Sequence, residues 1–205
     1  VRLPTPPEAA CADFPAEAWR GHIGLARAYA SAIYQAEHKA KNEGWSPALV
    51  DRLSAFACLA EQRSEPGRDV YLLFWDLDLR GRLAHLPDFA AVKPRFAPLL
   101  DNWAARVEAF GALAPGRSDV AVGYYGWAIA SGRREEAIRL GDRWLARRPN
   151  DAISLWFSGN AMLFETDERV ARQGLARMRQ ALALSVDRQI PVDPGIRRRL
   201  EATGG

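Results

Sequence analysis

Asp76 and Asp78, in the run FWDLDLR, are the nearest this chain comes to a paired carboxylate. On a strand, side chains two apart share a face, and such a pair could serve acid–base or metal chemistry. On a helix they point to different faces, and each pairs with a residue one turn on, Asp76 with Arg80 and Asp78 with Arg82. The helical reading makes both of them solvated charges. The three histidines, His22, His38 and His85, have no partner at ligand spacing, and His38 sits between Glu37 and Lys39 on a charged stretch. The patterns HExxH, CxxC, GxSxG and GxGxxG do not occur. Cys11 and Cys58 are 47 positions apart, which does not suit a structural zinc site. The sequence therefore predicts no catalytic residue, no metal and no cofactor.

The two cysteines leave two readings open. In an oxidising compartment Cys11 and Cys58 would form a disulfide whose loop closure stabilises by up to about 4 kcal/mol. Otherwise they are two thiols, Cys58 serving as a small apolar core residue. The chain opens on VRLPTPPEAACADFP, a stiff proline-rich lead-in over residues 1–14. It reads either as the stretch following a signal peptide or N-terminal membrane anchor, or as the start of a trimmed cytosolic fragment. The first reading is preferred here and places the protein in the periplasm or another extracytoplasmic space, with the cytoplasm as the alternative. The composition is that of a globular chain, 48% hydrophobic and 26% charged. A net charge of +3 is too small to imply nucleic acid. Of 28 basic residues only Lys39, Lys41 and Lys93 are lysines, an association with GC-rich bacterial coding.

The elements that must position these residues read as helices throughout. Trp19, Ile23, Ala26, Ala30 and Ile33 step by three and four, so 15–42 is one long amphipathic helix, and Gly44 is placed to end it. Ser46 and Pro47 start a second helix, with Leu49, Leu53, Phe56 and Ala60 inward. Asp69 is placed to cap a third over 70–82, although VYLLFW alone also suits a buried strand. Leu99, Leu100, Trp103, Val107, Phe110 and Leu113 stripe a helix over 98–113, and Ala114–Pro115–Gly116 is a loop.

The segment 118–150, SDVAVGYYGWAIASGRREEAIRLGDRWLARRPN, reads as a helical hairpin. Asp119 is placed to cap its first helix, which shows Val120, Tyr124, Trp127 and Ala128 on one face. Gly132 supplies the left-handed residue after that helix. The second helix, 134–147, begins with Glu135 and Glu136 and ends with arginines, as the helix dipole favours. Ala137, Leu140, Gly141, Trp144 and Leu145 form its inner face, and Pro149 closes the unit. A second copy follows, with Gly159 in its first helix and Ala171 in its second, the latter 171 − 137 = 34 positions after Ala137.

The Gly132, Ala137 and Pro149 spacing and this offset resemble the tetratricopeptide repeat, with a period of about 34 residues. The resemblance covers 118–185. It departs from the pattern at Tyr125, where the family carries a small residue, and at the missing closing proline of the second copy. It implies a right-handed stack of helical hairpins that binds other proteins, its first helices lining the inner curve.

An all-α fold of about eight helices is expected. A lead-in (1–14) precedes an N-terminal helical part (15–117) and the repeat-like part with a C-terminal helix (118–205), the last two forming one continuous domain. Seven tryptophans are generous for this length. Their common use is core packing, but Tyr125, and whichever of Trp156 and Phe157 is not buried, would line the groove, with Asn160 as polar partner. Arg197–Arg199 read either as a solvated helix end or as a contact for an acidic partner. The function expected is a non-enzymatic interaction module, an accessory subunit of a bacterial envelope complex that holds a segment of another protein. The alternative is a small-ligand-binding helical protein, resembling the repeat-containing accessory proteins of solute transporters, with tryptophans and tyrosines around a pocket.

Overall fold

The computed structural model describes residues 23–44, 46, 70–84, 100 and 102–202. Among them are eight α-helices, two short 3-10 turns and no strand, so the fold is all-α. The chain divides into two compact units between Leu113 and Ala114. Cys11, Cys58, His22, His85 and the helix expected after Ser46 lie outside the described residues.

The N-terminal unit contains α1 (Ile23–Glu43), α2 (Val70–Ala84) and α3 (Trp103–Leu113). Gly44 ends α1 as expected: it takes φ +80°, and its N–H donates to the Ala40 carbonyl at 2.9 Å. Ile33, Ala36 and Ala40 are buried at helical spacing along α1. The run VYLLFW is helical, which settles the strand alternative. α2 buries Leu72, Leu73, Leu77 and Leu79, and Trp103, Val107 and Phe110 form the inner stripe of α3.

The C-terminal unit opens with a 3-10 turn (Ser118–Ala121) that runs into α4 (Val122–Ala130). Asp119 does not cap this helix. Its carboxylate accepts instead from Arg117 at 2.9 Å, leaving a first turn wound with the tighter 3-10 bonds. Gly132 takes φ +76° between α4 and α5 (Arg134–Arg147). Then come α6 (Ala152–Met162), α7 (Glu168–Ala183), a 3-10 turn (Val186–Arg188) and α8 (Pro194–Ala202). Short turns join α4 to α5, α5 to α6 and α6 to α7. Three aspartates cap these helices through amides that have no intrahelical partner. Asp151 accepts from the Ser154 N–H at 2.9 Å, and Asp167 from the Arg169 N–H at 2.8 Å. Asp193 accepts from the Gly195 and Ile196 N–H groups at 2.7 and 2.9 Å.

The tightest packing lies between α6 and α7. A Cβ added at Gly159 would stand 2.7 Å from the Gly174 carbonyl oxygen, and one at Gly174 would stand 2.6 Å from the Gly159 oxygen. The two backbones touch because neither residue carries a side chain. Helix α5 also packs closely on α6: Gly141 leaves room only for Ser158. Ala137, Leu140 and Trp144 are buried beside Gly141 as expected, while Leu145 is only half-buried.

Candidate functional site

Helix α6 is enclosed almost completely. Of its eleven residues nine are buried, leaving Phe157 and Asn160 as the two with access to solvent. They are three positions apart and therefore one helical turn from each other. Phe164, just beyond the helix, continues the line four positions on and is 51% exposed. The Arg134 guanidinium lies over the Phe164 ring at 4.4 Å. The open edge of α6 is thus a short stripe of two phenylalanines with an asparagine amide between them.

Of the residues expected to contact a partner, Phe157 and Asn160 lie on this stripe. Trp156, the residue before Phe157, is buried at 5% exposure. Tyr125 is corrected as well. It was expected as an exposed anchor, but it is completely buried, its ring stacked on Phe157 with centroids 5.2 Å apart and planes within 4°. Tyr125 supports the stripe from beneath. Burial pushes its hydroxyl up from the ordinary tyrosine range. That hydroxyl and the buried Ser154 hydroxyl lie near each other, but neither makes a hydrogen bond of good geometry.

Near the C-terminal end of α4, the Tyr124 hydroxyl donates to Glu136 at 3.1 Å, and Arg133 stacks on Trp127 at 5.0 Å. Burial, reinforced by the Glu136 carboxylate, also raises the Tyr124 hydroxyl. Trp144 is buried, in keeping with a packing role.

The aspartate pair is split by its helix, as i and i+2 positions must be. Asp78 pairs with Arg82 at 2.7 Å, and Arg82 also donates to Glu37 on α1 at 3.0 Å. Asp76 forms the expected pair with Arg80, but neither is solvated: both are fully buried. Arg80 Nε donates to both Asp76 oxygens at 3.1 Å, and Arg106 Nε of α3 donates to one of them at 3.1 Å. Arg80 Nη1 completes the link with a 2.6 Å bond to Asn102. The carboxylate accepts from two guanidinium groups and ties α2 to α3, so its contribution is positional. His38 is exposed. Among the described residues no three His, Cys, Asp or Glu side chains gather as a metal site, and no helix is long and apolar enough to cross a membrane.

Sequence reasoning missed Phe164, which lies outside any periodic stripe, and Gly174, whose partner Gly159 is known only once the two helices are paired. Compared with family profiles, with curated proteins and with solved structures, the chain matches none.

Proposed function

We propose that the C-terminal unit is a tetratricopeptide-like module that holds a segment of another protein along the open edge of α6. One observation carries this reading: helix α6 is buried except for Phe157 and Asn160, which Phe164 extends into a stripe. An aromatic that is half-buried before binding loses little rotamer freedom on contact, and an amide beside it can bond an extended backbone as donor and acceptor. The offset of α5 and α7, whose first residues are 168 − 134 = 34 positions apart, supports the repeat register. The setting proposed for it is an accessory role in a bacterial envelope complex.

The test places a photo-crosslinking residue at Asn160, and separately at the exposed Arg169, in the full chain expressed in its host. A protein adduct at Asn160 that is missing at Arg169 is expected. Asn160→Ala should then weaken the purified partner by about fivefold or more without moving the melting temperature. Equal adducts at both positions, or none at Asn160, would remove the groove from consideration.

A further inference from the structure

The opposite end of the C-terminal unit carries arginines that its own carboxylates do not neutralise. Four contacts define this end. Gln180 of α7 donates to Asn150 in the α5–α6 turn at 3.3 Å, and Arg148 donates to the Pro115 carbonyl at 3.1 Å. Arg179 donates to the Leu200 carbonyl of α8 at 3.3 Å, and Arg197 pairs with Asp187 at 2.7 Å. The last turn of α5, the last turns of α7, the second 3-10 turn and α8 are thereby gathered together.

The acids here are already engaged. Asp119 pairs with Arg117, Asp187 with Arg197, and Glu201 with Arg197, while Asp151 and Asp193 cap helices. Arg147, Arg148, Arg188 and Arg198 are all exposed, and none forms an ion pair among the described residues. Residues 114–205 contain 15 basic and 11 acidic side chains, so this unit is at 15 − 11 = +4 while the whole chain is +3. The helix dipole accounts for Arg147 at the end of α5. It does not account for Arg188 in a 3-10 turn or Arg198 in the middle of α8.

We infer that this arginine end docks an acidic peptide stretch of the protein partner. The inference rests on the groove reading and adds the partner's chemistry to it. A guanidinium fork donates two parallel hydrogen bonds to a carboxylate, and exposed charge of one sign steers the partner's approach. A short acidic stretch suits the site better than a long polyanion. The other end of the unit balances its charge internally, Glu135 with Arg139, Glu136 with Arg133 and Glu168 with Arg172, so a polyanion that continued past the arginines would gain no further attraction there.

The experiment measures fluorescence anisotropy of a labelled deca-glutamate peptide with the full chain, at low salt and then at rising sodium chloride. Binding that weakens steeply with salt is expected. Arg147→Glu with Arg188→Glu should reduce it about tenfold or more, and Arg169→Glu at the other end less than about twofold. Circular dichroism confirms that the variants fold, and Arg198→Glu provides a second variant that leaves the α5 end intact. No peptide binding at low salt, or equal losses from Arg169→Glu, overturns the inference. So does tighter, arginine-dependent binding of phosphatidylglycerol vesicles or of a single-stranded oligonucleotide. The Asn160 adduct is read independently: its persistence beside a failed peptide assay rejects the acidic stretch alone, and its loss rejects the groove.

Discussion

The helices of the N-terminal unit meet across buried charge, whereas α6 and α7 of the C-terminal unit meet backbone to backbone. In the first case a single carboxylate, Asp76, holds two arginines from two helices with no solvent access of its own. In the second case two glycines hold nothing and give access instead. The difference concerns what a substitution leaves behind. A buried ion pair that loses one member retains an uncompensated charge in a medium that solvates it poorly, while an overfilled helix contact only has to move apart.

The largest effect should therefore come from Asp76→Ala. It takes a carboxylate away from the fully buried Arg80 and removes one anchor from Arg106. A loss of about 3–5 kcal/mol is expected in chemical denaturation, with hydrogen exchange rising first in α2 and α3. Because the pair is buried, added salt should do little to the difference. A loss below about 1 kcal/mol would mean that the network is solvated and that the contrast between the units is unreal.

Much of this architecture was legible in the sequence, and the illegible parts share a cause. Helix identities followed from period and punctuation. The start and stop of α5 were read from its residues, and Gly44 and Gly132 ended helices where predicted because a positive φ is a local demand. Burial of a polar group is not local. Asp76 looked solvated because its partner Arg80 lies one turn away, the pattern of an exposed helix pair, and Arg106 comes from thirty positions further on. Tyr125 was misjudged for a similar reason. It stands 159 − 125 = 34 positions before Gly159, and a large residue in place of a small one suggests a surface anchor. The same replacement also suits packing: the ring fills space against α6 that no glycine could fill, and it stacks on Phe157. Only the packed helices distinguish the two.

That pair of equivalent positions gives the next prediction. Gly159→Ala sets a Cβ against the Gly174 carbonyl and should cost about 1–3 kcal/mol, since backbone cannot rotate away as a side chain can. Gly132→Ala is the control: it is strained by its φ of +76° but meets no neighbour within 4 Å, and about 1 kcal/mol is expected. If both variants melt alike in thermal denaturation, α6 and α7 are not in backbone contact, and the steric half of the comparison fails.

The smallest effect at neutral pH should come from Tyr125→Phe, and its sign sharpens the comparison most. The ring and its stack on Phe157 survive, and the change deletes a buried hydroxyl that makes no hydrogen bond of good geometry. Losing an unsatisfied group is close to neutral, so a shift within about 1 kcal/mol of wild type is expected. In alkali the two proteins should part. Burial raises the hydroxyl above the ordinary value near 10, so the folded state keeps a proton that the unfolded chain releases. The stability that this neutral hydroxyl contributes is complete below about pH 10 and falls as pH rises through the unfolded value towards the folded one. Tyr125→Phe has no such proton to lose. Its denaturation midpoint should fall less than that of wild type between pH 7 and about pH 11, the remaining decline coming in part from Tyr124, whose hydroxyl is raised in the same direction. Parallel declines would place the Tyr125 hydroxyl in solvent and return that residue to the surface of the groove.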